Sequence, residues 1–156
     1  MRDTPDVIEL TAEDCERILE EGRIAHIAST SQDEPYVTPM SFVMIDGDFF
    51  FRTGPGRRVD ALRASPRACV EVTILREGDA WESAIFWGDA RFIDDPAERS
   101  TVVAALLHKY HTDTVLGAST PSIVPTDLPI VGITPEEVAG RASGGGLTSK
   151  TRPGRL

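Results

Sequence analysis

The residues of this chain that could do chemistry are concentrated in one segment, FFFRTGPGRRVDALRASP, at positions 49–66. A strand-like run ends at Arg52 and Thr53, and Arg57 and Arg58 follow a glycine-rich turn at the start of a short helix. Main-chain N–H groups at a helix start, a threonine hydroxyl and guanidinium groups all favour a bound phosphate. An ordinary strand-to-helix turn with surface arginines is the alternative that local chemistry leaves open.

Motifs for other kinds of catalysis are missing from the sequence. It contains no nucleophile elbow, Walker loop, zinc-protease helix or pair of catalytic carboxylates. Gly54-Pro55-Gly56 is not a dinucleotide fingerprint, because the third glycine is absent. Cys15 and Cys69 are predicted to be buried free thiols, and neither they nor the three histidines have metal-ligand spacing. We therefore predict no metal site, and the sequence names no catalytic residue.

The charge distribution favours a small anionic ligand over a long polyanion. The 156 residues carry 16 Lys and Arg against 25 Asp and Glu, a net charge of −9. This sign argues against a nucleic-acid partner, because phosphate backbones need a basic face. Between Arg52 and Arg67, however, five arginines stand with only one acid, Asp60. Such a cationic island in an acidic protein is typical of a site for a small anion.

The length suits a single domain. We predict a polar leader at 1–10, a folded domain at 11–140, and a flexible tail at 141–156, where three consecutive glycines and four basic residues occur without apolar periodicity. No apolar run approaches the ~18–20 residues of a membrane span, and the first residues lack the apolar core of a signal peptide. We therefore expect a cytoplasmic protein with no membrane partner.

Hydrophobic periodicity predicts a mainly β fold with α decoration (α+β). Thr11 begins a capping box, which predicts a helix that ends at Gly22 as a C′ residue. Asp46-Gly47 is a hairpin signal. Strands are predicted at 24–30, 36–45 with a break at Pro39, 48–53, 69–75, 81–93 with a bulge at Gly88, and 129–133; further helices are predicted at 57–64 and 96–111. These elements favour an antiparallel β-barrel, and a doubly wound α/β fold is disfavoured because residues 23–53 lack strand–helix alternation.

Several segments in order resemble a known family. They are RIAHIAST at 23–30, DEPYVTPMSFVMIDGDFFFRTGPGRRVDALRASPRACVEV at 33–72, WESAIFWGDARFI at 81–93 and PEEVAG at 135–140. This order resembles the pyridoxamine 5′-phosphate oxidase-like flavin-binding proteins, and within them the nitroimidazole-reductase-like branch. The resemblance implies a split antiparallel β-barrel that forms a homodimer, with FMN in two grooves between the subunits.

The resemblance also implies roles for individual residues. The strand whose backbone runs along the isoalloxazine ring is matched by Thr38, Pro39, Met40, Ser41 and Phe42. The strand end near the ribityl phosphate is matched by Arg52 and Thr53, and the basic pair that clamps that phosphate by Arg57 and Arg58. Positions contributed near the flavin from the facing strand, or from the other subunit, are matched by Trp81 and Ser83.

Two departures from the family pattern narrow the expected function. The branch often has histidine where Arg52 stands and lysine where Arg58 stands. The C-terminal tryptophan and arginine motif of true pyridoxamine-phosphate oxidases is missing, so pyridoxamine phosphate is not the expected substrate. The resemblance implies an FMN-binding oxidoreductase that passes electrons from a reduced nicotinamide donor to a small-molecule acceptor. The alternatives are a non-enzymatic flavin-binding or redox-sensing module and a reductase that uses a deazaflavin coenzyme.

Overall fold

The computed structural model describes residues 7–111 and 127–143, which form nine strands and three α-helices. The helices are α1 Ala12–Glu21, α2 Arg57–Ala64 and α3 Pro96–His111. The strands are β1 Val7–Glu9, β2 Ala25–Ser31, β3 Glu34–Met40, β4 Val43–Ile45, β5 Asp48–Arg52, β6 Arg67–Leu75, β7 Trp81–Phe92, β8 Ile130–Ile133 and β9 Glu137–Ser143. A 3₁₀ turn, Glu77–Asp79, joins β6 to β7.

The long strand β7 joins two halves of an antiparallel sheet. Its residues from Trp81 to Asp89 pair with β6, and those from Glu82 to Trp87 also pair with β9. Its last residues, Ala90 to Phe92, pair instead with β8. The strand order is β3-β2-β6-β7-β8-β5-β4, with β9 between β7 and β1. This arrangement is a split antiparallel barrel with helices at its margins, which confirms the predicted fold.

Local turn chemistry explains how the first helix and the first hairpin form. Thr11 accepts the Asp14 amide on its hydroxyl at 3.2 Å, and the Asp14 carboxylate faces the Thr11 amide in return, which completes the capping box. Asp46 and Gly47 have φ of 50° and 85°, as a two-residue hairpin turn requires. Gly22 caps α1 but has an ordinary φ of −60°. Packing explains why this position is a glycine, since an added Cβ would lie 2.2 Å from Val72 Cγ1.

Two details of the predicted strands differ from the structure. Pro39 lies within β3, which tolerates it because β3 is at the end of the strand order and therefore an edge. The break comes two residues later, at Ser41 and Phe42. Gly88 forms no bulge, because it pairs in register with Ala68. A side chain there would instead collide with the Thr134 carbonyl oxygen, 2.4 Å from its Cβ position.

The core of the barrel is built around phenylalanines. Phe42, Phe49, Phe51 and Phe86 are fully buried. The Phe42 and Phe49 rings stack with centroids 4.9 Å apart, and Phe86 meets Phe49 edge to face at 5.5 Å. Burial of each such ring removes apolar surface from water and contributes about 1.5–3 kcal/mol to the stability of the fold. The predicted free thiols are both unpaired, with Cys15 buried and Cys69 half-buried.

The predicted leader and tail both contribute residues to the sheet. Strand β1, at Val7–Glu9, pairs antiparallel with Arg141 to Ser143 at the end of β9. The folded unit therefore extends beyond the predicted limits of 11 and 140. Residues 1–6 and 144–156 of the predicted leader and tail lie outside the described part of the chain. No helix within the described ranges is long and apolar enough to cross a membrane.

Candidate functional site

Helix α2 brings the two predicted phosphate-binding arginines against hydroxyl groups on or next to three strands. Arg58 donates from Nε to Thr38 Oγ1 and from Nη1 to Thr53 Oγ1, both at 2.6 Å. Arg57 donates from Nε to Ser31 Oγ at 2.9 Å. We call these five residues, Ser31, Thr38, Thr53, Arg57 and Arg58, the hydroxyl–guanidinium cluster. It joins the ends of β2 and β5, the middle of β3 and the start of α2.

The backbone fixes this cluster in place. Thr53, which is buried, donates its amide to the Pro129 carbonyl at 3.0 Å, so the contact between β5 and β8 continues one residue beyond the paired strands. Gly56 has φ of 142°, a conformation that side chains disfavour, and it turns the chain into α2. As the N-cap it offers no side-chain acceptor, so the first N–H groups of α2 lack a side-chain cap. The N-terminus of α2 therefore adds positive potential beside the two arginines.

The cluster is cationic and uncompensated. Among the described residues, neither Arg57 nor Arg58 forms an ion pair with a carboxylate. Burial lowers the pKa of the Arg58 guanidinium from its ordinary value, and the Tyr36 phenol partly opposes this. Arg57 instead lies over the Tyr36 ring, 4.7 Å from its centroid. Asp60, the acid of the first turn of α2, is exposed. A half-buried cation without a counter-ion is a favourable place for an anion.

Arg52 does not join this cluster. The alternation along β5 sends Thr53 into the cluster and Arg52 toward α3, where it lines a groove with Val103 and Leu107. Ser41 is exposed and lines the same groove. The structure therefore brings Ser41 and Arg52, which the family resemblance assigned to the site, to one groove, and the two arginines of α2 do not line this groove.

The other predicted residues of the segment 38–42 point in different directions. Thr38 is in the cluster, whereas Pro39 is exposed on the opposite face of β3. Met40 packs against the core, and Phe42 is fully buried in it. The Phe42 side chain is thus unavailable to a ligand, and its backbone amide and carbonyl groups both hydrogen-bond the Tyr110 hydroxyl.

Trp81 and Ser83 lie on the other face of the sheet. Thr38 pairs across the strands with Ile27, Ile27 with Val70, and Val70 with Phe86, so these four share the core face. Trp81 and Ser83 differ from Phe86 by an odd number of positions on β7 and therefore face outward, both half-buried. One copy of the chain does not bring them to the cluster.

Sequence reasoning missed the residue that holds the bend between β3 and β4. The Tyr110 hydroxyl accepts the Phe42 amide at 2.9 Å and lies 2.6 Å from the Arg23 carbonyl oxygen, to which it donates. Burial raises the pKa of the Tyr110 phenol, and the hydrogen bond with the Phe42 backbone, which lowers that pKa, only partly opposes this effect. The apolar spacing of Val103, Leu106 and Tyr110 indicates only that these residues share one face of α3. The signal available was its type, since a buried tyrosine hydroxyl needs a hydrogen-bond partner.

Comparisons with known proteins agree with the split-barrel fold. The family model described as pyridoxamine 5′-phosphate oxidase matches residues 11–142. Protein RA0666 of Rhizobium meliloti (strain 1021) is 23% identical over 88 residues, which is 56% of this chain and 57% of that protein. The chain thus spans little more than half of this curated relative.

Two solved structures have the same fold. A FAD-binding protein of Mesorhizobium loti superposes with a TM-score of 0.73 at 25% identity, covering 88% of this chain and 98% of that one. A 5-nitroimidazole antibiotic resistance protein of Bacteroides thetaiotaomicron gives 0.72 at 19% identity, covering 88% and 87%. Because the family model covers most of the chain, the protein belongs to the pyridoxamine 5′-phosphate oxidase family.

Proposed function

We propose that this protein is an FMN-dependent oxidoreductase and that the hydroxyl–guanidinium cluster binds the FMN phosphate. The observation that carries the proposal is the pair Arg57 and Arg58, held by hydroxyl groups and left without a carboxylate partner among the described residues. Arg57 is exposed, but Arg58 is half-buried, and a purely structural arginine there would be expected to pair with an acid, since buried charge is costly when it is unpaired. A phosphate would supply the missing charge.

The donor set of the cluster fits a phosphate. Each guanidinium has five N–H donors, of which Arg58 uses two on Thr38 and Thr53 and Arg57 uses one on Ser31. The remaining donors and the N-terminus of α2 are available to phosphate oxygens. The relative from Mesorhizobium loti is described as FAD-binding, which supports a flavin as the molecule that carries the phosphate.

The chain's own contribution is to bind and orient the cofactor. When bound, FMN would supply the redox chemistry between a reduced nicotinamide donor and a small acceptor. The backbone of 38–42 would support the ring, and Tyr110 holds that backbone at Phe42. This division of labour explains why the sequence contains no catalytic triad or acid–base pair.

A second copy of the chain would complete the site. The outward face that contains Trp81 and Ser83 also carries exposed apolar side chains, with Val37 61% and Leu75 80% exposed. Leu75 lies directly opposite Trp81 in the β6–β7 pairing. We infer that this face forms a homodimer contact, which would bring Trp81 and Ser83 of one subunit toward the cofactor of the other.

Two measurements on the purified protein test the proposal. After incubation with FMN and removal of the excess, the absorbance spectrum is expected to contain flavin bands in one equivalent per chain. A deazaflavin band, or no retained flavin, would contradict the proposed cofactor. Light scattering of the loaded protein should give twice the chain mass of 17.0 kDa.

A matched pair of variants tests the dimer face. Leu75→Glu places a charge on the outward face and should give a monomer that retains little FMN. Val138→Glu places the same charge on an exposed residue, 43% accessible, that pairs with Phe86 and so lies on the other face of the sheet. It should remain a dimer. A monomeric Leu75→Glu protein that binds FMN as the wild type does would overturn the intersubunit site.

A further inference from the structure

A groove lies between α3 and the end of β5, apart from the hydroxyl–guanidinium cluster. It consists of two adjoining cavities of about 640 and 230 Å³, and both are lined by Arg52, Val103 and Leu107. The larger volume lies within the range of small-molecule sites, roughly 300–1,000 Å³. The groove is therefore large enough for a ligand of its own.

One wall of the groove is an apolar face of α3. Ser100, Val103, Ala104 and Leu107 line it with helical spacing, so they form one stripe along the helix. Leu107 is 38% exposed, which leaves a large apolar side chain accessible to a ligand. This wall would bind the apolar body of a molecule.

Arg52 supplies the charge opposite that wall. It is half-buried, and within residues 7–111 and 127–143 its guanidinium has no hydrogen bond or ion pair. The other cation of the groove, Arg99, directs its N–H groups to the Ile93 and Leu128 carbonyl oxygens, each at 2.8 Å. Asp94 is the acid among the lining residues and is exposed. Two guanidinium groups against one carboxylate leave the groove cationic, with Arg52 available to a ligand.

The smaller cavity connects this groove to the backbone that is proposed to support the flavin ring. Ser41, at the bend after β3, and Tyr110, which anchors the next residue, both line it together with Arg52. A molecule that occupies the groove would thus lie beside that backbone.

We propose that this groove binds a small organic carboxylate, whose apolar body packs on α3 and whose carboxylate pairs with Arg52. A guanidinium fork matches a carboxylate in geometry and charge. The wall of Val103, Ala104 and Leu107 disfavours a bare inorganic anion. Identification of this molecule as the substrate of the oxidoreductase rests on the proposed function, whereas its binding does not.

Calorimetric titration of the full-length protein with two matched probes tests the site. The probes are 1-naphthoate and 1-naphthylmethanol, which share the ring system but differ in charge. We expect the wild type to bind the carboxylate about tenfold to a hundredfold more tightly than the alcohol, as a charge-assisted pair implies. Arg52→Met, which keeps an apolar chain of similar length, should erase this difference. The control Arg63→Met, on an exposed arginine of α2, should preserve it.

Several results would overturn the inference. One is equal affinity of the wild type for both probes, and another is an Arg52→Met protein that still prefers the carboxylate. A third is a loss of FMN affinity in Arg52→Met as large as that in Arg58→Met, which would place Arg52 in the phosphate site. Failure of the wild type to bind FMN, with the probe results as expected, would overturn the proposed function and leave the carboxylate site intact.

Discussion

Two groups of arginines in this molecule differ in what surrounds them. Arg17 and Arg76 converge on Glu82, with N–O distances of 2.9 and 2.7 Å, and the Glu82 side chain is 6% exposed. Arg57 and Arg58 converge instead on hydroxyl groups, and no carboxylate pairs with them within the described ranges. The first group is neutralised inside the chain, and the second is not.

The difference separates a structural role from a binding role. Glu82 ties α1, through Arg17, to the hairpin of β6 and β7, through Arg76, so its charge serves the fold. A cluster with the same residue type but only neutral acceptors retains its charge for a ligand. Composition cannot make this distinction, because both groups consist of arginines in an acidic protein.

Breaking the neutralised group should have the largest effect on stability. Glu82→Gln removes the buried counter-ion of Arg17 and Arg76 and leaves them only the more exposed Glu21 to share, and we expect a loss of about 3 kcal/mol in the free energy of unfolding. Both arginines keep some contact with solvent, which limits the cost. Urea denaturation measures this loss. The control is Glu136→Gln, since its pair with Arg67 is exposed on both sides and should contribute little to stability.

The same carboxylate should make stability depend on pH. Burial raises the pKa of Glu82, but hydrogen bonds and charges of Arg17 and Arg76 outweigh this, so its folded pKa lies below the ordinary 4.5. A group with a lowered folded pKa stabilises the protein above its unfolded pKa, and this contribution is lost as pH falls through the folded value. The stability gap between wild type and Glu82→Gln should be constant from pH 7 to 5 and narrow below about 4.5. A gap that widened in acid would contradict the assignment.

An uncharged anchor should have a smaller effect. Tyr110→Phe removes the acceptor of the Phe42 amide, and an unsatisfied buried amide costs about 1–2 kcal/mol. Chemical denaturation measures this loss of stability. The affinity for FMN, measured by titration, should also fall severalfold, because the bend at Ser41 and Phe42 loses its support. A variant with unchanged stability and unchanged FMN affinity would remove the positioning role.

Breaking the uncompensated cluster should hardly affect stability in the absence of ligand. Arg58→Met removes a half-buried cation together with two hydrogen bonds, and these opposite contributions should leave the free energy of unfolding within about 1 kcal/mol of the wild type. Urea denaturation of flavin-free protein measures it. A loss as large as that of Glu82→Gln would abolish the distinction between the two groups.

The sequence predicted those parts of the fold that local chemistry decides. The capping box at Thr11 and the Asp46-Gly47 turn each depend on neighbouring residues, and the structure confirms them. The break in the second extended segment was misplaced at Pro39, because edge position in a sheet depends on distant strands.

The candidate site was predictable only in part, for the same reason. The resemblance pointed to Thr38, Thr53 and the α2 arginines, which the structure brings together. Ser31 and Tyr110 were missed because their partners are 26 and 68 positions away along the chain. The direction of Arg52 depends on the phase of strand alternation, which the run of phenylalanines on both faces of β5 conceals.

The most direct test of the account is a comparison of FMN with riboflavin, which has the same ring and no phosphate. Flavin-free wild type, Arg57→Met, Arg58→Met and Arg63→Ala are titrated with each ligand. We expect Arg58→Met and Arg57→Met to weaken FMN about tenfold to a hundredfold, because each removes charge-assisted hydrogen bonds to the phosphate. Riboflavin affinity should not change, and Arg63→Ala should match the wild type for both ligands. Equal losses for FMN and riboflavin, or unchanged FMN affinity in the double variant of Arg57 and Arg58, would contradict a phosphate site at the hydroxyl–guanidinium cluster.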